Sequence, residues 1–167
     1  ALDTFQAIRK AYNSIKNTAA NPEAGKPKVV RGGPLGNAWF VASGESYAAQ
    51  IIADAGGEYA WAELPGAENK QLSFEAFYEA LSQADYWISP GQLKSKAELL
   101  ALDSRLADLP VVQQNRIYIN TRQALPLGAN NLYERGMLHP EEILHDYQRI
   151  LQGQDDNLNY FKQLPLE

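Results

Sequence analysis

The residue types that could do chemistry in this chain fall into small groups, and each can be set against what its chemistry requires. Gly32, Gly33 and Gly36 follow a β-branched run, as a phosphate-cradling loop would. Such a loop needs a helix N-terminus directly behind it, whose free N–H groups and dipole meet the pyrophosphate. Ala38, Trp39, Phe40 and Val41 come next instead, an extended aromatic run, so no dinucleotide site is expected. Ser43, Gly44, Glu45 and Ser46 resemble a nucleophile turn only superficially, because both histidines lie far along the chain; a helix entry is the simpler reading. His139 and His145 would face different sides of one helix, and metal ligation by side chains is not expected. His139, before Pro140, reads as a capping or surface residue. Asp155, Asp156 and Asn157 lack the alternation and glycine of a calcium loop and read as a solvated turn. No catalytic residue and no cofactor is assigned.

What remains is an excess of aromatic and forked polar groups near turns. Trp39, Trp61 and Trp87 are all the tryptophans of the chain, each within or beside a strand that leads to a strand-end loop. Arg122, Asn130, Asn131 and Tyr133 cluster further on. Aromatic faces with a few convergent polar groups make up most small-molecule pockets, and the planar fork of Arg suits carboxylates and phosphates. The candidate ligand-binding residues are therefore Trp39, Trp61, Arg122, Asn131 and Tyr133. Trp87, between Tyr86 and Ile88, reads as core; Trp39 and Tyr133 could serve packing as well as binding.

The elements that must position these groups follow from periodicity. Leu2, Phe5, Ile8, Tyr12, Ile15 and Ala19 form a helical stripe that should stop at Asn21 and Pro22. A strand spans Lys28 to Arg31, a loop Gly32 to Asn37, and a second extended run Ala38 to Val41. Ser46 caps a helix closed by Gly56 and Gly57, and Tyr59 to Ala62 reads as a strand before a polar loop from Glu63 to Gln71. Ser73 caps a helix burying Phe74, Phe77, Tyr78 and Leu81; Tyr86 to Ile88 is a strand. Ser95 opens a helix ended by Pro110, Ile117 to Ile119 is a strand, and Pro140 to Leu151 is a helix with Pro in its first turn. Alternating strands and helices predict an α/β domain, a mostly parallel sheet with helices on both faces, whose ligands gather beyond the strand carboxyl ends.

Composition narrows the partners. The chain has 167 residues, 45% hydrophobic and 21% charged, with 15 basic against 20 acidic side chains and a net charge of -5. That is globular composition in one domain, with no basic stripe for nucleic acid. The absence of cysteine removes disulfides and thiolate chemistry. No apolar run approaches the roughly 20 residues needed to span a bilayer, no basic-then-apolar export signal is visible, and the chain opens inside a helical pattern.

In order and spacing these pieces resemble the C-terminal lobe of the ABC-transporter substrate-binding proteins for ferric siderophores, haem and cobalamin, particularly Bacteroidetes forms. The resemblance rests on Lys26, Pro27, Lys28, Val29, Val30; on Trp39, Phe40, Val41; and on Ser46 through Gly57 with Tyr59. It continues in Leu72, Ser73, Phe74, Glu75; Ala84 to Ile88; Asn115 to Tyr118; and Leu138 to Asp146. It implies a Rossmann-like lobe of a two-lobe, helix-bridged protein: residues 1–22 as the end of the interlobe or first helix, residues 23–167 as the C-terminal ligand-binding lobe, and an N-terminal lobe absent here. It also implies capture of an iron chelate, haem or corrinoid, delivery to an ABC permease docked through Glu75, a periplasmic or cell-envelope location and a lipid anchor on the missing part. A carboxylate in a first helical turn is also what the dipole favours unaided. Two other readings stand beside this one: a small α/β enzyme using the same loops, and an interaction module with an aromatic patch.

Overall fold

The computed structural model describes residues 2–19, 25–91, 93–125 and 128–167. Its centre is a parallel ladder. β1 (Lys28–Leu35) pairs in parallel with β3 (Glu58–Tyr59) and with β5 (Tyr86–Ile88), and β5 pairs in parallel with β6 (Ile117–Ile119). Antiparallel strands extend it: β2 (Ala38–Ala42) on β1, β4 (Asn69–Leu72) on β2, and β7 (Lys162–Gln163) on β6. The α/β layering expected from the sequence stands, with a mixed sheet built around the parallel core.

Helices cover both faces because the central strands are apolar on both. Val29, Ile88 and Tyr118 turn towards α2 (Tyr47–Asp54) and α7 (Pro140–Leu151), the latter through Ile143, Leu144, Tyr147 and Ile150. Val30, Trp87 and Ile117 turn the other way, towards α3 (Phe74–Ser82), α4 (Lys96–Leu102) and α5 (Pro110–Gln113). This is the period-two alternation of a sheet buried on both sides. α1 (Leu2–Thr18) lies along α7, where Gln148 Nε2 donates to Ile15 O and Thr18 Oγ1, both at 3.2 Å.

Several expectations are corrected. Gly32 to Asn37 is no open loop: β1 continues through the glycines to Leu35 and turns back into β2, with Gly32 opposite Val41 and Leu35 opposite Ala38. The glycines are there for room, since a Cβ on Gly33 would lie 2.4 Å from Pro90 O and one on Gly32 2.2 Å from Phe40 O. The strand placed at Tyr59 to Ala62 is only Glu58–Tyr59, and the polar run to Gln71 contains β4, an edge strand whose alternation is too polar to stand out. The helix from Ser95 stops at Leu102, yields to a 3₁₀ turn over Ser104–Asp108, and Pro110 starts α5 as its first residue. The proposed stop at Asn21 and Pro22 lies outside the described residues.

Candidate functional site

The parallel strands all end at one edge of the sheet, where their last side chains meet the starts of α2 and α7 and the short α6 (Asn131–Glu134). Arg31 sits at the carboxyl end of the parallel part of β1, opposite Ile88 of β5. It points to the α7 side, the same face as Val29. Its Nε donates to Tyr147 Oη at 3.2 Å, and Tyr59 and Tyr133 lie within electrostatic reach of its charge. Tyr47, the first residue of α2, stands close to Arg31, Tyr147 and Glu141. A guanidinium at the mouth of the sheet is thus framed by phenols from α2, β3, α6 and α7.

Tyr47, Tyr59 and Tyr147 stay protonated at physiological pH. Burial pushes Tyr47 up to about 12, with Tyr147 and Glu141 adding to it and Arg31 opposing. Burial also raises Tyr59 and Tyr147, against the pull of Arg31. These three phenols are therefore neutral beside a group that is always cationic, and the Tyr59 hydroxyl donates its proton to Ala42 O at 2.6 Å.

Beside Arg31 the next strand ends supply more polar atoms. Asn120, just past β6 and buried, donates from Nδ2 to Tyr133 Oη at 2.8 Å, and its carbonyl accepts from Asn130 Nδ2 at 2.8 Å. Asn130 caps α6, its Oδ1 accepting from Leu132 N at 3.0 Å. This chain of bonds holds the Tyr133 ring where it is 62% exposed. Ser89, just past β5, takes a left-handed backbone at φ 55°, and its buried Oγ has no partner among the described residues. Strained, unsatisfied residues of this kind concentrate where ligands are held.

The sequence-predicted residues divide between two places. Asn131, Tyr133 and Arg122 lie on the segment after β6 at this edge: Asn131 Nδ2 donates to Gln123 Oε1 at 3.0 Å, and exposed Arg122 is tied by its backbone N–H to Tyr160 O at 3.2 Å. Trp39 and Trp61 lie on the α3 face. Trp39 packs on Phe77 at 4.7 Å and Phe74 at 5.2 Å between ring centroids, and Trp61 stacks on Phe77 at 5.4 Å. Trp87 is core, as its strand setting implied. Arg31, Tyr47, Tyr59 and Tyr147 went unnamed by sequence reasoning, although a lone Arg closing a Val-Val strand was a visible signal.

Residues 1–124 match the model of a family described as periplasmic binding protein. The chain belongs to that family. No curated protein matches it in sequence. Among solved structures it is similar to an ABC transporter substrate-binding protein from Listeria monocytogenes (16% identity, TM-score 0.62, 91% of this chain and 57% of that one). It is similar also to a possible iron-binding periplasmic solute-binding protein from Staphylococcus epidermidis (13%, 0.67, 89% and 53%). A third is the periplasmic haem-binding protein of Vibrio cholerae (23%, 0.58, 88% and 53%). This periplasmic binding protein chain therefore spans little more than half the length of those structures, and the likeness establishes the shared fold.

Two further features of this periplasmic binding protein bear on the sequence reading. Glu75 is exposed in the first turn of α3, behind the Ser73 cap that accepts from Ala76 N at 3.2 Å. Arg105, near enough to feel its charge, pairs with Asp103 at 2.6 Å and lies over the Phe74 ring. His139, Glu141 and Glu142 bring ligand atoms within 4.8 Å of one another. Those atoms are largely engaged: His139 Nδ1 with Glu141 at 3.0 Å, Glu142 with Arg135 and Tyr160. No helix among the described residues is long and apolar enough to cross a membrane.

Proposed function

We propose that this chain is one lobe, the second in chain order, of the substrate-binding component of an ABC importer. Its cargo is an iron compound, a ferric siderophore or haem, or a corrinoid, held against the carboxyl edge and delivered to a membrane permease. Its place of work is the periplasm or cell envelope. The observation that carries this reading is the rim of that edge: Tyr47 and Tyr133, 46% and 62% exposed, flank a partly buried Arg31, and Leu125, Met137 and Leu138 on the segment between β6 and α7 are 48–72% exposed. Such an open apolar rim with a polar floor fits a surface completed by something else. The solved neighbours, of whose length this chain covers little more than half, include proteins whose names state haem or iron binding.

On this reading Arg122, Asn131 and Tyr133 line one wall with Arg31 as its floor, while Trp39 and Trp61 brace the far face. Glu75 meets the permease. The test is thermal unfolding of the full-length protein with haem, a ferric siderophore panel and cobalamin. Cargo at about 100 times its Kd should add about 2.7 kcal/mol of stability, and no shift with any of them would refute the reading. Glu75→Lys should leave cargo binding unchanged and reduce uptake by cells carrying the cognate permease.

A further inference from the structure

The peptide units Asn159–Tyr160 and Tyr160–Phe161 are each held on two sides. On one side is Asp146, wholly buried in the middle of α7. Its Oδ1 accepts from Asn159 N at 2.8 Å and Asn159 Nδ2 at 3.0 Å, and its Oδ2 from Tyr160 N at 2.7 Å and Phe161 N at 3.4 Å. These donors fill the lone-pair sites that a carboxylate offers. On the other side is the segment after β6: Gln123 Nε2 donates to Asn159 O at 2.9 Å and Arg122 N to Tyr160 O at 3.2 Å. A trans peptide unit points its N–H and C=O in opposite directions, and no peptide bond among the described residues is cis. Each unit therefore reaches from the carboxylate to the wall, and hydrogen bonds chained in this way polarise and orient one another.

The chain of bonds continues beyond Gln123. Its Oε1 accepts from Asn131 Nδ2 at 3.0 Å and its carbonyl from Asn131 N at 3.4 Å, at the start of the helix that bears exposed Tyr133. Tyr160 braces the rest of the rim. Its phenol donates to Glu142, which pairs with Arg135 at 2.5 Å, and a Cβ on Gly136 would lie 3.3 Å from its ring carbon Cζ. Gly136 opens the turn that exposes Met137 and Leu138.

We propose that Asp146 is a positioning residue for the cargo wall: it sets the direction of two peptide units whose carbonyls hold Arg122 and Gln123 and, through them, Asn131 and Tyr133. This rests on the reading of the edge as a cargo site and adds to it the group that fixes the wall from behind. Asp146 itself touches no cargo. A carboxylate that only closed the C-terminal segment onto α7 would need that segment's N–H groups alone, whereas here the carbonyls of the same peptide units end on the wall.

The test is made by NMR on the full-length protein, because native-state resonances report geometry and not the amount of stability lost. In Asp146→Asn the side-chain amide signals of Gln123 and Asn131 and the backbone amide of Arg122 should move. The indole N–H signals of Trp39 and Trp87, which pack on the α3 face, should stay. A local clamp would move only residues around 145–147 and 158–161. Wall signals that stay in place overturn the proposal, and so does a movement shared by the indoles, which would mean a general loosening. If Asp146→Asn does not fold, Asn159→Ala replaces it, removing one donor to the carboxylate and keeping the carbonyl that Gln123 uses. It should move the Asn131 signals to a smaller degree, and their failure to move has the same meaning.

Affinity separates positioning from packing. For whichever of haem, a ferric siderophore panel or cobalamin binds, Asp146→Asn and Gln123→Ala should each weaken binding at least about threefold, and the double variant no more than the worse single one, since residues acting through one path are not additive. Fully additive losses, or unchanged affinity with displaced wall signals, overturn the positioning role. Displaced wall signals in a protein that binds none of these compounds would instead sink the transport reading and leave the relay from Asp146 to Asn131 standing.

Discussion

At the scale of single residues, two buried carboxylates show how much of this lobe depends on exact pairing. Asp54 at the end of α2 accepts from Tyr12 Oη at 2.7 Å and Gln50 Nε2 at 2.8 Å and pairs with Lys16 at 2.8 Å, so it fastens α1 to the body. Burial works to raise its pKa, but these partners together hold it below its ordinary 3.8. A lowered carboxylate pKa contributes stability that is present above the unfolded value and lost as pH falls through the folded one. Asp54→Asn should therefore cost about 1–3 kcal/mol at neutral pH, and urea melts should show the gap to wild type closing below pH 3.8. Asp146 is the opposite case: burial raises it although the N–H groups of Asn159 and Tyr160 pull it down. Asp146→Asn would set an amide N–H₂ against those donors. It should cost about 1–3 kcal/mol and speed hydrogen exchange across residues 158–164.

At the scale of elements, the hairpin β1–β2 illustrates what the sequence withheld. Gly33 passes so close to Pro90 that a Cβ would sit 2.4 Å from its carbonyl oxygen. Gly33→Ala should destabilise by about 1–3 kcal/mol, as overpacking does, visible as a lowered thermal midpoint. A run of glycines and a proline reads as a loop because those residues lose most on entering a strand; only the neighbouring Pro90 backbone, distant in sequence, explains them. The helices were legible because caps and apolar stripes are local: Ser46, Ser73 and Ser95 each accept the bond their spacing implied. The edge strands β4 and β7 were not, since their polar residues pair only once β2 and β6 exist. The site divides along the same line. Tyr133 and Asn131 follow a recognisable strand end, whereas Arg31 acquires its meaning from Tyr59 and Tyr147, residues 28 and 116 positions away.

At the scale of the whole molecule, α1 changes character along its length. Tyr12 and Ile15 pack against the core, while Phe5, near its start, is 62% exposed. In the 167-residue chain, Phe5→Ser should stay within about 0.5 kcal/mol of wild type and Ile15→Ala should not, by chemical denaturation. The other asymmetry is between the sheet's faces. Phe77, fully buried, touches the rings of Trp39, Trp61 and Trp87 at 4.7, 5.4 and 5.7 Å, and those are all the indoles the chain has. Ultraviolet emission therefore comes from one knot of chromophores behind the sheet. A colourless compound seated at Arg31 would leave that glow nearly unaltered, and a porphyrin, absorbing where indoles emit, would dim all of it together.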